Sequence, residues 1–505
     1  MSHGGQSRSE VVAPRSKFYQ GPFGRICADL EPYFPNKLKG NPKKEKDPQA
    51  LEDLMLKVAA SMVEKDDDAA GESDIPAGYT YFGQFVDHDI TFDPASSLMR
   101  INDPAGLFNH RTPRLDLDNV YGRGPEDSPY LYQRGDKAKL LIGQIEKDKY
   151  PDLPRNSETV ALIGDMRNDE NSIVSQLQLA FLLAHNRLVD IARKKKKPDP
   201  FEAARTTLRW LYQWVVWHDF LKRVCDPATR EAALVLRDHG GGSKSMELGF
   251  KHVYNWKHHP FIPVEFSVAA YRFGHSLVRN SYQTNVEVRG FGNFAPIFDM
   301  SGTPDDPDSR KDLSGFRRMQ PDNIIQWDWF LQMESSSGPF PQLARKIDTK
   351  MSKALTTLRD EEEPLNKLAF RNLMRGLKFE LPRGPEVARK YCLPTVKADA
   401  HALWYYILKE AEDGGGNHLG PLGSLIVCAT FAGLLKGDPC SWVNVKPCWT
   451  PDDDDLLSSE DEITGKPFNQ DGDNSAWGLP AIIRLSGLAV DGSGIDRVRK
   501  NGPHP

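Results

Sequence analysis

Cysteine is scarce in this 505-residue chain: Cys27, Cys225, Cys392, Cys428, Cys440 and Cys448 are the only six. They are too scattered for a disulfide framework or a thiolate metal spacing; Cys440 and Cys448 could pair, but reduced buried thiols are the expectation. No run reaches the ~18 apolar residues of a transmembrane helix. Met1–Glu10 has no apolar core, so no signal peptide is visible. Cytoplasmic residence is the default expectation, and leaderless export would leave the same N-terminus. The net charge of −5 offers no broad basic footprint, which argues against nucleic acid as a partner. No Ser/Gly linker divides the chain. Strand signals are few and short, chiefly Thr284–Val288. The glycine runs at 240–242, 290–292 and 414–416 lack the strand and continuation of a phosphate loop and read as turns.

What is present is helical pattern. At 39% hydrophobic residues the chain can bury a large core. Apolar periodicity predicts an early surface helix over Pro48–Lys65 and a long one over Asn171–Lys197, with Ile173, Val174, Leu177, Phe181 and Leu188 facing inward. Further helices are predicted over Arg205–Cys225, Val264–Gln283, Ile324–Met333, Leu343–Leu358, Pro364–Arg375, Ala402–Glu412 and Pro421–Lys436. Arg193–Lys197 reads as a solvated helix end whose cations suit the dipole, with attraction to a membrane surface as the other reading. Pro451 to Glu462 is an acidic excursion expected to be mobile, and Ala476–Val490 one ordered return. The expected division is an N-terminal extension over 1–47, a core over 48–440 and a C-terminal segment over 441–505. The fold class is mainly α.

The most informative stretch is Thr80-Tyr-Phe-Gly-Gln-Phe-Val-Asp-His-Asp-Ile-Thr-Phe92. On a helix, Gln84, Asp87 and His88 share one face. An amide, a carboxylate and an imidazole together suit proton handling beside a bound cofactor. Asp89 must point elsewhere, since adjacent helical residues diverge by about 100°. The bland alternative is a structural hydrogen-bonded cluster.

Gly83-Gln-Phe-Val-Asp-His-Asp89 resembles the distal-histidine motif of the animal-type haem peroxidases, a family with bacterial members within the peroxidase–cyclooxygenase superfamily. Four more segments resemble that family in order. Thr112-Pro-Arg-Leu-Asp-Leu-Asp118 is similar to its calcium loop, and Gly164-Asp-Met-Arg-Asn-Asp-Glu170 to its distal-arginine segment. Tyr271-Arg-Phe-Gly-His275 is similar to its proximal-histidine helix, and Ala369-Phe-Arg-Asn-Leu-Met-Arg375 to the segment whose Asn orients that His. The likeness spans about Phe18 to Lys436. It implies a helical peroxidase fold around a buried haem b, with hydrogen peroxide reduced through an oxo-ferryl state at the expense of small donors such as phenols, iodide, bromide or thiocyanate.

By this resemblance His275 ligates the iron and Asn372 accepts its ring N–H, a partnership that fixes ring orientation and basicity. Arg272 and Arg375 would pair with haem propionates. His88 would shuttle the peroxide proton, Arg167 would stabilise charge on the leaving oxygen, and Gln84 would hold a water or halide. Asp87 and Glu170 match carboxylates that form ester links to haem in mammalian members. Asn171 stands where the chloride-oxidising leukocyte enzyme has Met, so a sulfonium link is not expected and efficient chloride oxidation is in doubt. Asp89, Thr112, Arg114 (through its carbonyl), Asp116 and Asp118 would supply oxygens to Ca²⁺. Two other readings remain open: a fatty-acid dioxygenase, whose radical Tyr stands three residues before the proximal His rather than four as Tyr271 does, and a non-catalytic haem carrier.

Overall fold

Residues 21–33, 48–64, 69–92, 108–145, 149–256, 259–298, 309–333, 336, 340–356, 358, 363–460, 466–471 and 474–501 are described by the structure, a computed structural model. Helices dominate them, and the strands pair only in two-stranded sheets. The mainly-α expectation holds.

The helices that build the core are α1 (Pro48–Ser61), α2 (Gly78–Ile90), α3 (Ser172–Lys194), α4 (Pro200–Val215), α5 (Leu368–Lys378), α6 (Leu403–Asp413), α7 (Pro421–Gly437) and α8 (Leu479–Ser486). α3 is the axis. Asn171 starts it by accepting from the backbone of Ile173 and Val174, a cap that typically stabilises by about 0.5–2 kcal/mol. Arg193 and Lys194 suit its C-terminal dipole. The expected inward stripe is buried, but so is nearly every other residue of the helix, because α2, α4 and α8 all pack on it. Its buried amides are used: Gln176 donates to the Asn323 carbonyl at 3.0 Å and accepts from the Ile325 amide at 2.8 Å.

α2 lies across α3 through its aromatic residues. Phe85 stacks on Phe181 with centroids 4.5 Å apart, and Phe82 meets Tyr212 and Phe220 edge-on. The helix can begin where it does because residue 78 is glycine. Its amide donates to the Phe330 carbonyl, and a Cβ there would lie 2.8 Å from that same oxygen.

Several expected elements are replaced. Leu343–Leu358 is not a helix: its first residues form β4 (Leu343–Arg345), antiparallel to β1 (Glu72–Pro76). Ile324–Met333 is not one either. Asn285 captures the Ile324 carbonyl, and the amides of Gln326, Trp327 and Asp328 bond to Thr284, Ala489 and Val490, leaving only a 3₁₀ turn at Trp327–Trp329. Thr284–Val288 forms no strand, since the Asn285 side chain folds the backbone by accepting from Val288 and Arg289. The helix expected over Arg205–Cys225 starts earlier, at Pro200, and loosens into a π-turn at Val216–Phe220. Val264–Gln283 is helical only to His275, as a π-turn (Glu265–Ala269) followed by a 3₁₀ stretch (Ala270–His275). Pro364–Arg375 starts later, at Leu368.

A hairpin of β2 (Leu234–Asp238) and β3 (Lys244–Leu248) was not foreseen. Its loop is the glycine run 240–242, all three with positive φ, a region side chains disfavour. The acidic run from Pro451, expected to be mobile, is anchored over its described residues. Trp477 Nε1 donates to Asp452 at 2.7 Å, Thr207 to Asp454 at 3.0 Å, and Lys197 pairs with Asp455 at 2.9 Å. The cationic helix end and the acidic run thus satisfy each other; residues 461 and 462 lie outside the described residues. Of the N-terminal extension, 1–20 and 34–47 also lie outside them. Residues 21–33 are tied to the core through the Gly24 amide to the Ile262 carbonyl at 3.0 Å and the Cys27 amide to Glu265 at 2.9 Å. All six cysteines are free, so Cys440 and Cys448 are not paired. None of the described helices is long and apolar enough to cross a membrane.

Candidate active site

The described part of α2 presents Gln84, Asp87 and His88 to a cavity of about 310 Å³. Glu170 and Asn171 enter from the turn before α3, and Arg272 and His275 from the 3₁₀ stretch. Arg371, in the first turn of α5, adds a second guanidinium to the lining. Two imidazoles nearly two hundred residues apart in the chain therefore share one chamber. Both are neutral at ordinary pH: burial pushes His88 down to about 3, helped by the Arg167 charge, and burial does the same to His275, helped by Arg272 and Arg371.

The tautomer of His88 is set by a chain of amides. The Asn119 carbonyl can only accept, so Gln178 donates to it at 3.1 Å. Gln178 Oε1 then accepts from Asn168 Nδ2 at 2.8 Å, which turns Asn168 Oδ1 towards His88 Nδ1 at 2.7 Å. Nδ1 therefore carries the proton and donates, and Nε2 keeps its lone pair. Neither Asn168 nor Gln178 was singled out from the sequence. Asn168 was within reach of such reasoning, since it directly follows Arg167.

His275 has the opposite tautomer. Arg272 can only donate, and its Nη1 meets Asn372 Oδ1 at 3.1 Å. Asn372 therefore turns its amide nitrogen to His275 Nδ1, at 2.8 Å. The expectation that Asn372 accepts a ring N–H is reversed here: Nδ1 accepts, and the proton sits on Nε2. Arg272 is half-buried and also donates to the Ser267 carbonyl at 3.1 Å, so it faces its own neighbourhood as well as the cavity.

Two expected arginines lie elsewhere. Arg167 does not line the cavity. Its Nη2 donates to the carbonyls of His88 and Thr91, at 3.2 and 2.6 Å, and pairs with Asp165 at 2.8 Å. Burial pushes Asp165 up, but the bond and charge of Arg167 outweigh it and hold that carboxyl well below the usual range. The charge of Arg167 still reaches the chamber, opposing protonation of His88 and favouring ionised Asp87 and Glu170. Arg375 also lies off the lining, its guanidinium 5.4 Å above the Phe379 ring. The α5 guanidinium on the cavity is Arg371, one residue before Asn372 rather than three after it.

Burial raises both cavity carboxylates, Asp87 and Glu170. Thr91 donates to Asp87 at 3.0 Å, and Gln84 donates to Glu170 at 2.7 Å while accepting from Asn171 at 3.1 Å. Gln84 is thus a strut between two residues of the α3 turn. Tyr271 lines the cavity too, and its hydroxyl donates to the Gly83 carbonyl of α2 at 3.3 Å.

Asp89 points away from the cavity, towards the 112–118 loop, where Oδ2 accepts from the Leu117 amide at 3.2 Å. Burial raises it well above the carboxylate range, and Asp116 and Asp118 raise it further. Asp89 Oδ1 and Asp116 Oδ1 are buried without a hydrogen-bond partner. Thr112 donates to Asp116 at 2.9 Å, Arg114 pairs with Asp116 and Arg111 with Asp118, each at 3.3 Å. Among the described residues no three His, Cys, Asp or Glu side chains converge as a metal cage.

Comparison with known proteins agrees with this geometry. The sequence profile of the animal haem peroxidase family matches residues 94–376, over half of the chain, beginning just after α2. Chorion peroxidase of Drosophila melanogaster is 25% identical over 346 residues. That alignment covers 64% of this chain and 41% of the relative, so the chain spans under half of that protein's length. Peroxidase A of Dictyostelium discoideum has a similar structure, with TM-score 0.55 and 15% identity over 84% of this chain and 90% of that one. Fatty acid alpha-dioxygenase of Arabidopsis thaliana follows at TM-score 0.53 and 15% identity, over 89% and 75%. At such identities the structural likeness concerns the fold. With the profile covering most of the core and two imidazoles sharing one chamber, the chain belongs to the animal haem peroxidase family.

Proposed function

We propose that the chain is a haem-dependent peroxidase that reduces hydrogen peroxide and oxidises small donors such as phenols, iodide, bromide or thiocyanate. The observation that carries this reading is the neutral His88 with its proton held on Nδ1, in the same cavity as His275. The residues present fit haem b: His275 as the iron ligand, Arg272 and Arg371 for its propionates, Asp87 and Glu170 beside its periphery. When bound, haem supplies the redox chemistry by which the O–O bond is cleaved and donors lose electrons. His88 Nε2 takes the proton from peroxide and returns it to the departing oxygen. The charge of Arg167, felt through the distal wall, favours that departure. To hold the iron, His275 would need the Nε2 lone pair that a proton now occupies; that proton would move to Nδ1, Asn372 would present its oxygen instead, and Arg272 would be free to meet an anion.

The test is a haem-replete preparation mixed with peroxide and a donor panel in an oxygen-electrode cell. Donor oxidation without oxygen uptake is expected. The second reading, a fatty-acid dioxygenase, draws on Tyr271 reaching the cavity wall. It requires oxygen consumption with unsaturated fatty acid that Tyr271→Phe abolishes, and that result would replace the peroxidase reading.

Two cofactor proposals follow. Asp87 and Glu170 would form ester links to haem methyls, each link consuming one hydrogen peroxide that takes a methyl hydrogen and the carboxyl proton and leaves as two waters; denatured protein extracted with acidified organic solvent then keeps its colour, and free partition of the colour into solvent rules the links out. Calcium binds Asp89, Asp116, Asp118, Thr112 and the Arg114 carbonyl, relieving the repulsion among carboxylates that now have two orphaned oxygens. At calcium 100 times its Kd the native state gains about 2.7 kcal/mol. Chelation should therefore lower Tm and slow the peroxide reaction together, and an unchanged melting curve would remove calcium from the account.

A further inference from the structure

Behind Tyr271, outside the cavity lining, lie two free and fully buried cysteines, Cys225 and Cys428. The fold ties them together from both sides. The Leu419 amide donates to the Val224 carbonyl at 2.9 Å, and the Asp226 amide to Ser424 Oγ at 2.8 Å. Cys225 is thereby clamped against the start of α7, where Cys428 lies one turn beyond Ser424. Burial and the neighbouring Cys428 both hold the Cys225 thiol protonated. Tyr271 sits between the elements that carry them. Its ring is 6.4 Å from Phe220, in the π-turn leading to Cys225, and 5.4 Å from Phe431, three residues after Cys428.

We propose that Cys225 and Cys428 form a redox-active dithiol that, through Tyr271, gives up two electrons to the cavity when peroxide arrives without a donor. This rests on the peroxidase reading above. The balance is one hydrogen peroxide and two thiols giving one disulfide and two waters: the O–O bond breaks, the S–S bond forms, and both thiol protons leave with the oxygens. Tyr271 passes the electrons singly, losing its phenolic proton with each; the first electron and proton are restored by Cys225 and the second pair by Cys428, as the S–S bond forms. Burial, then Asp87 and Cys225, raise the Tyr271 hydroxyl well above its ordinary range, so its proton does not leave unless an electron leaves too. The same burial keeps Cys225 a thiol, the inert form towards direct attack on peroxide. Oxidation through the tyrosine is thus favoured over oxidation by dissolved peroxide. The dithiol spares the catalytic residues from an oxidising equivalent that has no donor to quench it.

The experiment adds a few equivalents of peroxide to haem-replete protein without donor, then denatures, alkylates and maps the peptides by mass spectrometry, with donor oxidation assayed in parallel. A Cys225–Cys428 cross-link is expected, formed at least tenfold more slowly in Tyr271→Phe. Cys428→Ser should keep donor oxidation yet lose activity severalfold sooner under excess peroxide. An active enzyme whose two thiols stay alkylatable overturns the dithiol alone. Equal cross-linking in haem-free protein or in Tyr271→Phe overturns the tyrosine route. Protein that binds haem but neither reacts with peroxide nor cross-links overturns the peroxidase reading together with this one.

Discussion

Replacing His88 with alanine slows reaction with peroxide by about 10²–10⁴-fold while haem stays bound, the range expected for loss of a positioned general base. The argument is one of proton location. Nε2 is free to accept only because Nδ1 is committed to Asn168, and Asn168 is committed in turn by Gln178 and the Asn119 carbonyl. Asn168→Leu should therefore reproduce part of the loss without touching the imidazole itself. The pH dependence is equally specific. With its pKa pushed down to about 3 by burial and Arg167, His88 remains a base far below the ordinary histidine range. Stopped-flow rates should stay flat from pH 8 to about pH 5, whereas half-loss near the usual imidazole value of about 6.5 would show that the base is exposed or is not His88. An unchanged rate in His88→Ala refutes the assignment outright.

His275→Ala should remove the endogenous axial ligand and with it the ordinary five-coordinate spectrum, with haem affinity reduced by more than the 10–100-fold typical of losing a group that only supports a ligand. Asn372→Leu is the informative companion. Its amide is the link between His275 Nδ1 and Arg272, so its loss leaves the imidazole free to rotate and should cost about 10–100-fold in affinity. Haem titration followed in the Soret region reads both variants. Equal affinity for wild type and His275→Ala would place the iron on another residue.

The same linkage bears on stability. In the folded state His88 and His275 take up no second ring proton until about pH 3, whereas in the unfolded chain they take one near 6.5. Between those values the unfolded state binds more protons, so these two residues contribute stability at neutral pH that is lost as pH falls from about 6.5 towards 3.

Much of the site could be read from residue order. The face shared by Gln84, Asp87 and His88 follows from helical period, and the long α3 and the apolar α7 follow from patterns that no tertiary partner contradicts. The misreadings have a common cause. Leu343–Arg345 pairs with a strand some 270 residues away, and Ile324–Met333 gives its backbone groups to Asn285, Thr284 and the 489–490 turn. Local propensity is worth tenths of a kcal/mol per residue, and such distant hydrogen bonds outweigh it.

The sequence by itself determined which chemical groups are available and in what order: two histidines, their amide and guanidinium companions, and a carboxylate-rich loop. Tertiary structure decided where the ring protons of His88 and His275 sit. It chose Arg371 over Arg375 at the cavity, kept Arg167 behind the distal wall, gave the two imidazoles opposite tautomers and brought Cys225 against Cys428. Each of those outcomes depends on a neighbour distant in the chain, and on burial that makes a single hydrogen bond decisive where water would have made it optional.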